Sequence, residues 1–351
     1  MKTVSIGVIA YNEEKNIGAL LDALLQQDYP KEQTEILLVD GRSTDGTKKI
    51  MESFVAAHGE EYAAIKLFDN EKRVQPAAWK IVVENFSMDL LIRLDAHAVI
   101  PPDFVSKNVE CIESGESVCG GVFNKVSEKE DDLLQVAETS MFGSGIARYR
   151  NEGEKREYVR TVGLACYKRE VFETVGNFNE EIIRAEDNEL HYRVTKAGYK
   201  ICFDPSIRAD YLTRSTLGGM VKQKYGNGKW VGITTLAVSP GVFSVYHFVP
   251  FAFVCALILS LALAIVGIAL SSVFWAIPFF MVAGSYAFVS VGLSVLSARG
   301  KKKYFVLLLP FLFFLLHCAY GVGTLVGVFS LGAVRRVKAA EKDLALVKRE
   351  K

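Results

Sequence analysis

Asp95 and His97, two residues apart in Arg93-Leu-Asp95-Ala96-His97-Ala, close an apolar run over Leu90–Leu94. Alternate side chains of an extended strand share a face, so a carboxylate and an imidazole look into the same space. Such a pair suits a divalent cation bridging a diphosphate. Mg²⁺ prefers oxygen and Mn²⁺ tolerates nitrogen, and either neutralises charge on a departing group. A loop Asp capping a helix beside an incidental His reads the same in isolation. A second segment, Val39-Asp40-Gly-Arg-Ser43-Thr-Asp45-Gly-Thr, puts an acid at a strand end, where it can accept bonds from a base or ribose. It serves equally as a turn with a helix cap. A third, Arg184-Ala-Glu186-Asp187-Asn-Glu189, opens a helix, where carboxylates also cap. Asp187 is the candidate general base for an attacking hydroxyl, and Glu186 the structural or positioning partner.

These segments sit on an alternating frame. Thr3–Ile9 is a β-branched strand, and 13–27 carries Ile17, Leu20, Leu21, Leu24 and Leu25 at helical spacing. Strands are expected over 35–39, 65–68 and 90–94, with helices after Ser43–Asp45 and over 75–86. That β-α-β-α-β-α-β order implies an α/β domain with a doubly wound, mostly parallel sheet. Ligands of such sheets lie beyond the carboxyl ends of the strands. Those ends carry Ala10, Asn12 and Glu13, then Asp40 and Ser43, then Arg73, then Asp95 and Ala96. Further on, 118–126 and 158–165 read as strands flanking a helix over 131–148, with a helix over 186–198 and a strand over 200–203.

Charge divides the chain of 351 residues. Residues 1–230 hold 30 of its 41 basic and 37 of its 40 acidic residues, a net of −7. An acidic body argues against a nucleic-acid partner, because phosphate backbones demand positive surface. No Asp, Glu, Lys or Arg occurs over 231–298, nor over 304–334 after the basic patch Arg299–Lys303. A membrane span needs about 20 apolar residues. The expected organisation is therefore a catalytic domain over 1–230, membrane helices over 231–334 (about 243–270, 272–296 and 304–331), and a basic tail over 335–351. No cleavable leader is expected at Met1. The six cysteines lack metal-type spacing and read as free thiols of a reducing cytosol. Positive-inside counting puts the catalytic domain and Arg299–Lys303 on the cytoplasmic face. A third full crossing would then strand the basic tail outside, so that segment is either re-entrant or an exception.

Taken together, Val8-Ile-Ala10-Tyr-Asn12-Glu13, the Asp40–Thr47 segment, Asp95-Ala96-His97-Ala, Gly176-Asn-Phe-Asn-Glu and Glu186-Asp187 resemble the family-2 glycosyltransferases in order and spacing. Asn70-Glu-Lys-Arg73-Val-Gln-Pro and His317-Cys-Ala-Tyr-Gly321-Val-Gly323 resemble its succinoglycan-type membrane subgroup, which elongates lipid-linked exopolysaccharide units. The resemblance implies the GT-A fold, a UDP-type donor and inversion at the anomeric carbon. It implies that Asp40 contacts the nucleotide and Asp95 the ribose or diphosphate, with His97 on Mn²⁺ or Mg²⁺ in place of a commoner carboxylate, and Asp187 as base. Gly228-Lys229-Trp230 matches only the end of the QxxRW signature of processive synthases.

The expected activity is transfer of a hexose to a polyprenyl-diphosphate-linked saccharide at the inner, cytoplasmic membrane. Transfer to polyprenyl monophosphate, a processive synthase, and a non-catalytic membrane scaffold are the alternatives. Lys222, Lys224, Lys229, Trp230 and His317 are candidate acceptor or lipid contacts. The lysines equally suit anionic headgroups and His317 a helix-packing bond. Arg73 suits a phosphate or plain solvent. A nicotinamide enzyme is disfavoured because Gly7-Val-Ile-Ala-Tyr-Asn is not the glycine fingerprint of that site.

Overall fold

The computed structural model describes residues 1–126, 132–143, 155–212, 216–302 and 304–347, and the chain forms two compact units. The first comprises 1–126, 148–212 and 335–351; the second comprises 127–147 and 213–334. The division thus falls near 212, ahead of the boundary at 230 read from charge.

In the first unit, strands β1 (Val4–Ala10), β2 (Thr34–Asp40), β3 (Ala64–Asp69) and β4 (Leu90–Asp95) pair in parallel in the order β3-β2-β1-β4. Helices α1 (Ile17–Leu25), α2 (Thr47–His58) and α3 (Gln75–Asn85) make the crossovers. Both faces of β1, β2 and β4 are covered, so these strands are almost continuously apolar. The sheet continues through β8 (Cys166–Lys168), antiparallel to β4, then β6 (Val118–Val126) and β9 (Ile201–Leu212), with β5 (Ala98–Val99) and β7 (Glu157–Val159) pairing antiparallel to β9. Helices α4 (Phe104–Glu113), α6 (Arg169–Val175) and α7 (Glu186–Lys196) complete the layers. The mostly parallel α/β sheet expected from the sequence is present. The strand expected over 158–165 is instead two short strands, β7 and β8. The closing strand runs on to Leu212, where its register with β6 shifts between Gly120 and Val122. All six cysteines are free thiols.

The second unit is helical: α5 (Leu133–Thr139), α8 (Leu217–Ala237), α9 (Val249–Ala269), α10 (Ile277–Ser297) and α11 (Phe305–Phe329). Only the start of the helix expected over 131–148 is seen; positions 131 and 144–148 lie outside the described residues. Three helical stretches, Val245–Ala269, Val273–Ser297 and Phe305–Phe329, are long and apolar enough to cross a membrane. A further helix, α12 (Leu331–Val347), starts at the end of the second unit and runs into the first.

Residues 217–230, charged and glycine-bearing, carry no clear periodicity, yet they form most of α8. The reason lies in packing. Gly228 and Gly232 of α8 face α11, while Gly323 and Gly327 of α11 face α8. A Cβ on Gly228 would lie 2.0 Å from the carbonyl oxygen of Tyr320, and one on Gly327 would lie 2.1 Å from that of Lys229. Two small-xxx-small segments thus let the backbones touch. Gly228→Val should cost about 1–3 kcal/mol through overpacking and lower the thermal midpoint in detergent. Gly284→Val on α10, where a Cβ meets open space, should leave the midpoint within about 0.5 kcal/mol of the parent. Equal midpoints for the two variants would refute the close approach.

Candidate active site

The strand ends that the sequence marks as a ligand crevice carry an unusual backbone. Asn12 after β1, Arg42 after β2, Arg73 after β3 and Ala185 before α7 all adopt positive φ, at 54°, 62°, 55° and 66°. Left-handed geometry is costly for residues with a Cβ and concentrates where function fixes a loop. The loops are interlocked. Ser43 Oγ accepts from Asn12 N at 3.0 Å and Asn12 Oδ1 accepts from Thr44 N at 2.8 Å. Asn70, buried and named in the sequence only as the start of a motif, donates its backbone N–H to Asp40 O at 2.7 Å and its side-chain amide to Val74 O at 2.9 Å, closing the loop that holds Arg73. Arg73 itself is exposed.

Asp40 is fully buried at the end of β2, across from Ala10 of β1. Its Oδ2 accepts from Ser43 N at 3.1 Å, while Oδ1 is buried with no hydrogen-bond partner among the described residues. Buried carboxylate oxygens are rarely left bare, and such an atom at a crevice suits a donor brought by a ligand.

Asp95 and Arg93 share a face of β4. Trp79 of α3 and Phe178 cover the Arg93 guanidinium, with ring centres 4.1 and 4.7 Å away. Arg93 donates to Asp187 in a short ion pair, which brings the strand end and the start of α7 together. Arg93 is 5% exposed and the Asp187 side chain 36%, so the arginine anchors the pair while the carboxylate reaches the crevice. Beside it Glu186, buried at the first position of α7, is pushed up to about 8 by burial and then by Asp187, with Arg93 opposing. Glu186 therefore carries a proton at neutral pH. Behind them His191 is pushed down to about 4 by burial; its nitrogens pair with the Thr161 and Tyr167 hydroxyls, each at 2.8 Å.

Burial also raises the Asp95 carboxyl, with Asp187 and Glu13 adding and His97 and Arg93 opposing. His97 Nδ1 lies 3.3 Å from Glu13 Oε1, and its ring packs edge-on against Tyr211 at 4.1 Å. Ala96 N–H donates to Ile9 O at 3.1 Å, tying the Asp95–His97 segment to β1. His97 and Glu13 thus pair with each other near the Asp95 carboxyl, whose shift both affect. Among the described residues no group of three His, Cys, Asp or Glu side chains is placed to hold a metal unaided. Asp95 and His97 suit an ion whose remaining ligands come from a diphosphate and water, as is usual for Mg²⁺.

The other sequence candidates lie in the second unit. Lys224 is buried and pairs with Glu138 at 3.0 Å. His317 Nε2 bonds to Phe142 O at 2.8 Å and Nδ1 to Tyr286 Oη at 2.9 Å, so both ring nitrogens have protein partners. Lys222 is exposed, and Lys229 and Trp230 are half-buried on α8. Sequence reasoning missed Arg93 as a site residue, although a lone arginine inside an apolar strand, two residues before Asp95, is a visible signal. Glu138 gave none.

A family model described as "Glycosyl transferase family 2" matches residues 5–176. The dolichyl N-acetyl-α-D-glucosaminyl phosphate 3-β-D-2,3-diacetamido-2,3-dideoxy-β-D-glucuronosyltransferase of Methanococcus voltae is 29% identical over 337 residues, covering 93% of this chain and 98% of that one. The succinoglycan biosynthesis protein ExoA of Rhizobium meliloti (strain 1021) is 30% identical over 222 residues, 62% of this chain and 66% of that one. Among solved structures, the mannosyltransferase PcManGT from Pyrobaculum calidifontis, in complex with GDP-Man and Mn²⁺, aligns over 94% of this chain and 87% of its own with a TM-score of 0.57 at 17% identity. That likeness establishes the GT-A fold.

Glu186 sets a pH test. Its native pKa of about 8 lies above the ordinary 4.5, so the native state holds an extra proton between those values. The associated stability is full below about pH 4.5 and is lost as pH rises through 8. Thermal midpoints of the parent should therefore fall relative to Glu186→Gln between pH 5 and 8.5. A difference that stays constant over that range would refute the buried, protonated carboxyl.

Proposed function

The chain belongs to glycosyl transferase family 2, and from that premise we propose that it moves a sugar from a nucleoside diphosphate, UDP being the first choice, to a saccharide carried on a polyprenyl-type lipid monophosphate. The observation that carries this reading is the Arg93-held Asp187, a partly exposed carboxylate fixed in orientation, as a base for an acceptor hydroxyl would be. The likeness along nearly the whole length of a transferase named for a dolichyl sugar phosphate supports a single phosphate. The diphosphate-linked acceptor expected from the sequence gives way to it.

The residues divide the work. Asp40 offers its bare Oδ1 to an N–H or O–H of the nucleoside, and the Asn12–Ser43–Thr44 lock holds that loop in shape. Asp95 and His97 would hold the divalent cation, which supplies charge neutralisation to the leaving diphosphate. The acceptor hydroxyl oxygen attacks the anomeric carbon opposite the diphosphate, the C–O bond to the diphosphate breaks, and the hydroxyl proton passes to the Asp187 carboxylate. Attack from the opposite face inverts the centre. Arg93 keeps Asp187 oriented, while Glu186, protonated beside it, adds no second negative charge. Lys222, Lys229 and Trp230 are left as lipid-phosphate or headgroup contacts. Lys224 and His317 act through the partners that already hold them.

A second reading, transfer to bare polyprenyl monophosphate, is separated by chemistry. A phosphate oxygen is already ionised at neutral pH and needs no base, whereas a sugar hydroxyl does. Asp187→Asn retains an acceptor for Arg93 but cannot take the proton. It should lower turnover onto a monophosphate-linked sugar by about 10²-fold or more and leave UDP affinity unchanged in calorimetry. Near-normal turnover on the sugar-bearing lipid would remove Asp187 as base. Turnover confined to bare polyprenyl monophosphate and indifferent to Asp187→Asn would establish the second reading. Asp95→Ala should weaken UDP binding in the presence of Mn²⁺ and have little effect in chelator; equal losses under both conditions would exclude a metal-linked role.

A further inference from the structure

The chain path limits how the apolar helices meet the membrane. Helix α12 belongs to the first unit from Arg335 onward. There Arg336 Nε lies 3.2 Å from Glu181 Oε2, Glu341 Oε1 accepts from Asn179 Nδ2 at 2.5 Å, and Val337 is buried. The end of the chain therefore shares the aqueous compartment of the catalytic unit. Between Leu212 and Arg335 the chain must cross the bilayer an even number of times, yet that interval holds three stretches able to cross. At least one of the three does not. Length offers no escape. Only Ser330–Val334 separates α11 from Arg335, and five residues reach at most about 17 Å, against a hydrocarbon layer of about 30 Å.

Charge selects which one. If α9 or α10 failed to cross, the patch Arg299, Lys301, Lys302 and Lys303 would lie on the far side, against the positive-inside rule. With α9 and α10 as a crossing hairpin, that patch and the tail from Arg335 share the catalytic side. Packing agrees. A third of the α11 apolar window is buried inside the protein, against 17% and 11% for the other two. Gly323 and Gly327 hold α11 against α8, a helix that carries Lys222, Lys224 and Lys229 and is no candidate to cross. The exposed apolar residues of α11, Leu308, Phe311, Phe314, Leu315, Val326 and Phe329 among them, fall on one stripe, about 120° wide at 3.6 residues per turn.

We infer that α11 does not cross the membrane but enters and leaves on the catalytic side, with this stripe sunk among the acyl chains of that leaflet and α8 covering its other flank. The partner of this surface is lipid, and the inference does not depend on the identity of the acceptor.

Cysteine accessibility in the full-length chain tests it, with Cys255→Ser and Cys318→Ser removing the thiols of the membrane helices. Glu60→Cys reports the catalytic side; Ser271→Cys, Gly300→Cys and Lys342→Cys report the α9–α10 turn, the basic loop and α12. Only variants retaining the parent's thermal midpoint are scored, using a membrane-impermeant maleimide on intact and permeabilised cells. Gly300→Cys and Lys342→Cys should label with Glu60→Cys, and Ser271→Cys should label from the opposite face. Lys342→Cys labelling opposite Glu60→Cys would mean that α11 crosses. Gly300→Cys labelling opposite Glu60→Cys would assign the missing crossing to α9 or α10. Ser271→Cys labelling with Glu60→Cys would abolish the hairpin. Any of these three results overturns the inference.

Discussion

A buried guanidinium is expensive unless it is paired, and the site is organised around how Arg93 meets that cost. Burial works against its charge, and the pairing with Asp187 leads the contributions that more than offset it. Trp79 and Phe178 both pack against the group. The pairing fixes α7 against the end of β4, and with it the spacing between the Asp95–His97 segment and Glu186-Asp187. Removing the partner charge would leave an unpaired buried cation, so Asp187 serves structure as well as chemistry. A protonated Glu186 follows from the same balance, since one guanidinium does not sustain two buried carboxylates at full charge.

The second unit adds a different constraint, backbone contact beside the buried cluster of Met220, Phe305, Leu309 and Phe313. Where two helices meet backbone to backbone, small residues are what allow the close approach. Reciprocal glycines at 228, 232, 323 and 327 supply it. This accounts for the glycines of the His317-to-Gly323 segment without assigning them a ligand. It also accounts for His317, which fastens Phe142 and Tyr286 to α11.

Much of this was legible in the sequence, and the lapses have physical causes. The parallel strands were readable because burial on both faces makes them continuous apolar runs, and the crevice followed from their order. The first helix was started too early, at 13 against Ile17, because Glu13 and Asn16 bond to each other in the loop that precedes it. Helix α8 was hidden because its glycines lower helix propensity while serving a tertiary contact. The pairing of Arg93 with Asp187, 94 positions apart, leaves no local trace; only the oddity of an arginine in a buried strand hints at it. The tail read as a plain basic segment because the partners of Arg336 and Glu341 lie more than 150 residues upstream.

The left-handed residues at Asn12, Arg42, Arg73 and Ala185 carry one more consequence. Their strain is met during folding, by the hydrogen bonds that interlock the loops, so it is not charged again when a donor arrives. The crevice thereby behaves as a preformed mould. Little conformational entropy remains to be lost on docking, and selectivity between donor sugars falls to the fixed shape and polarity of the walls. Evolution toward a different donor would then proceed by exchanging wall residues on an unchanged backbone, with loop length and loop path held constant.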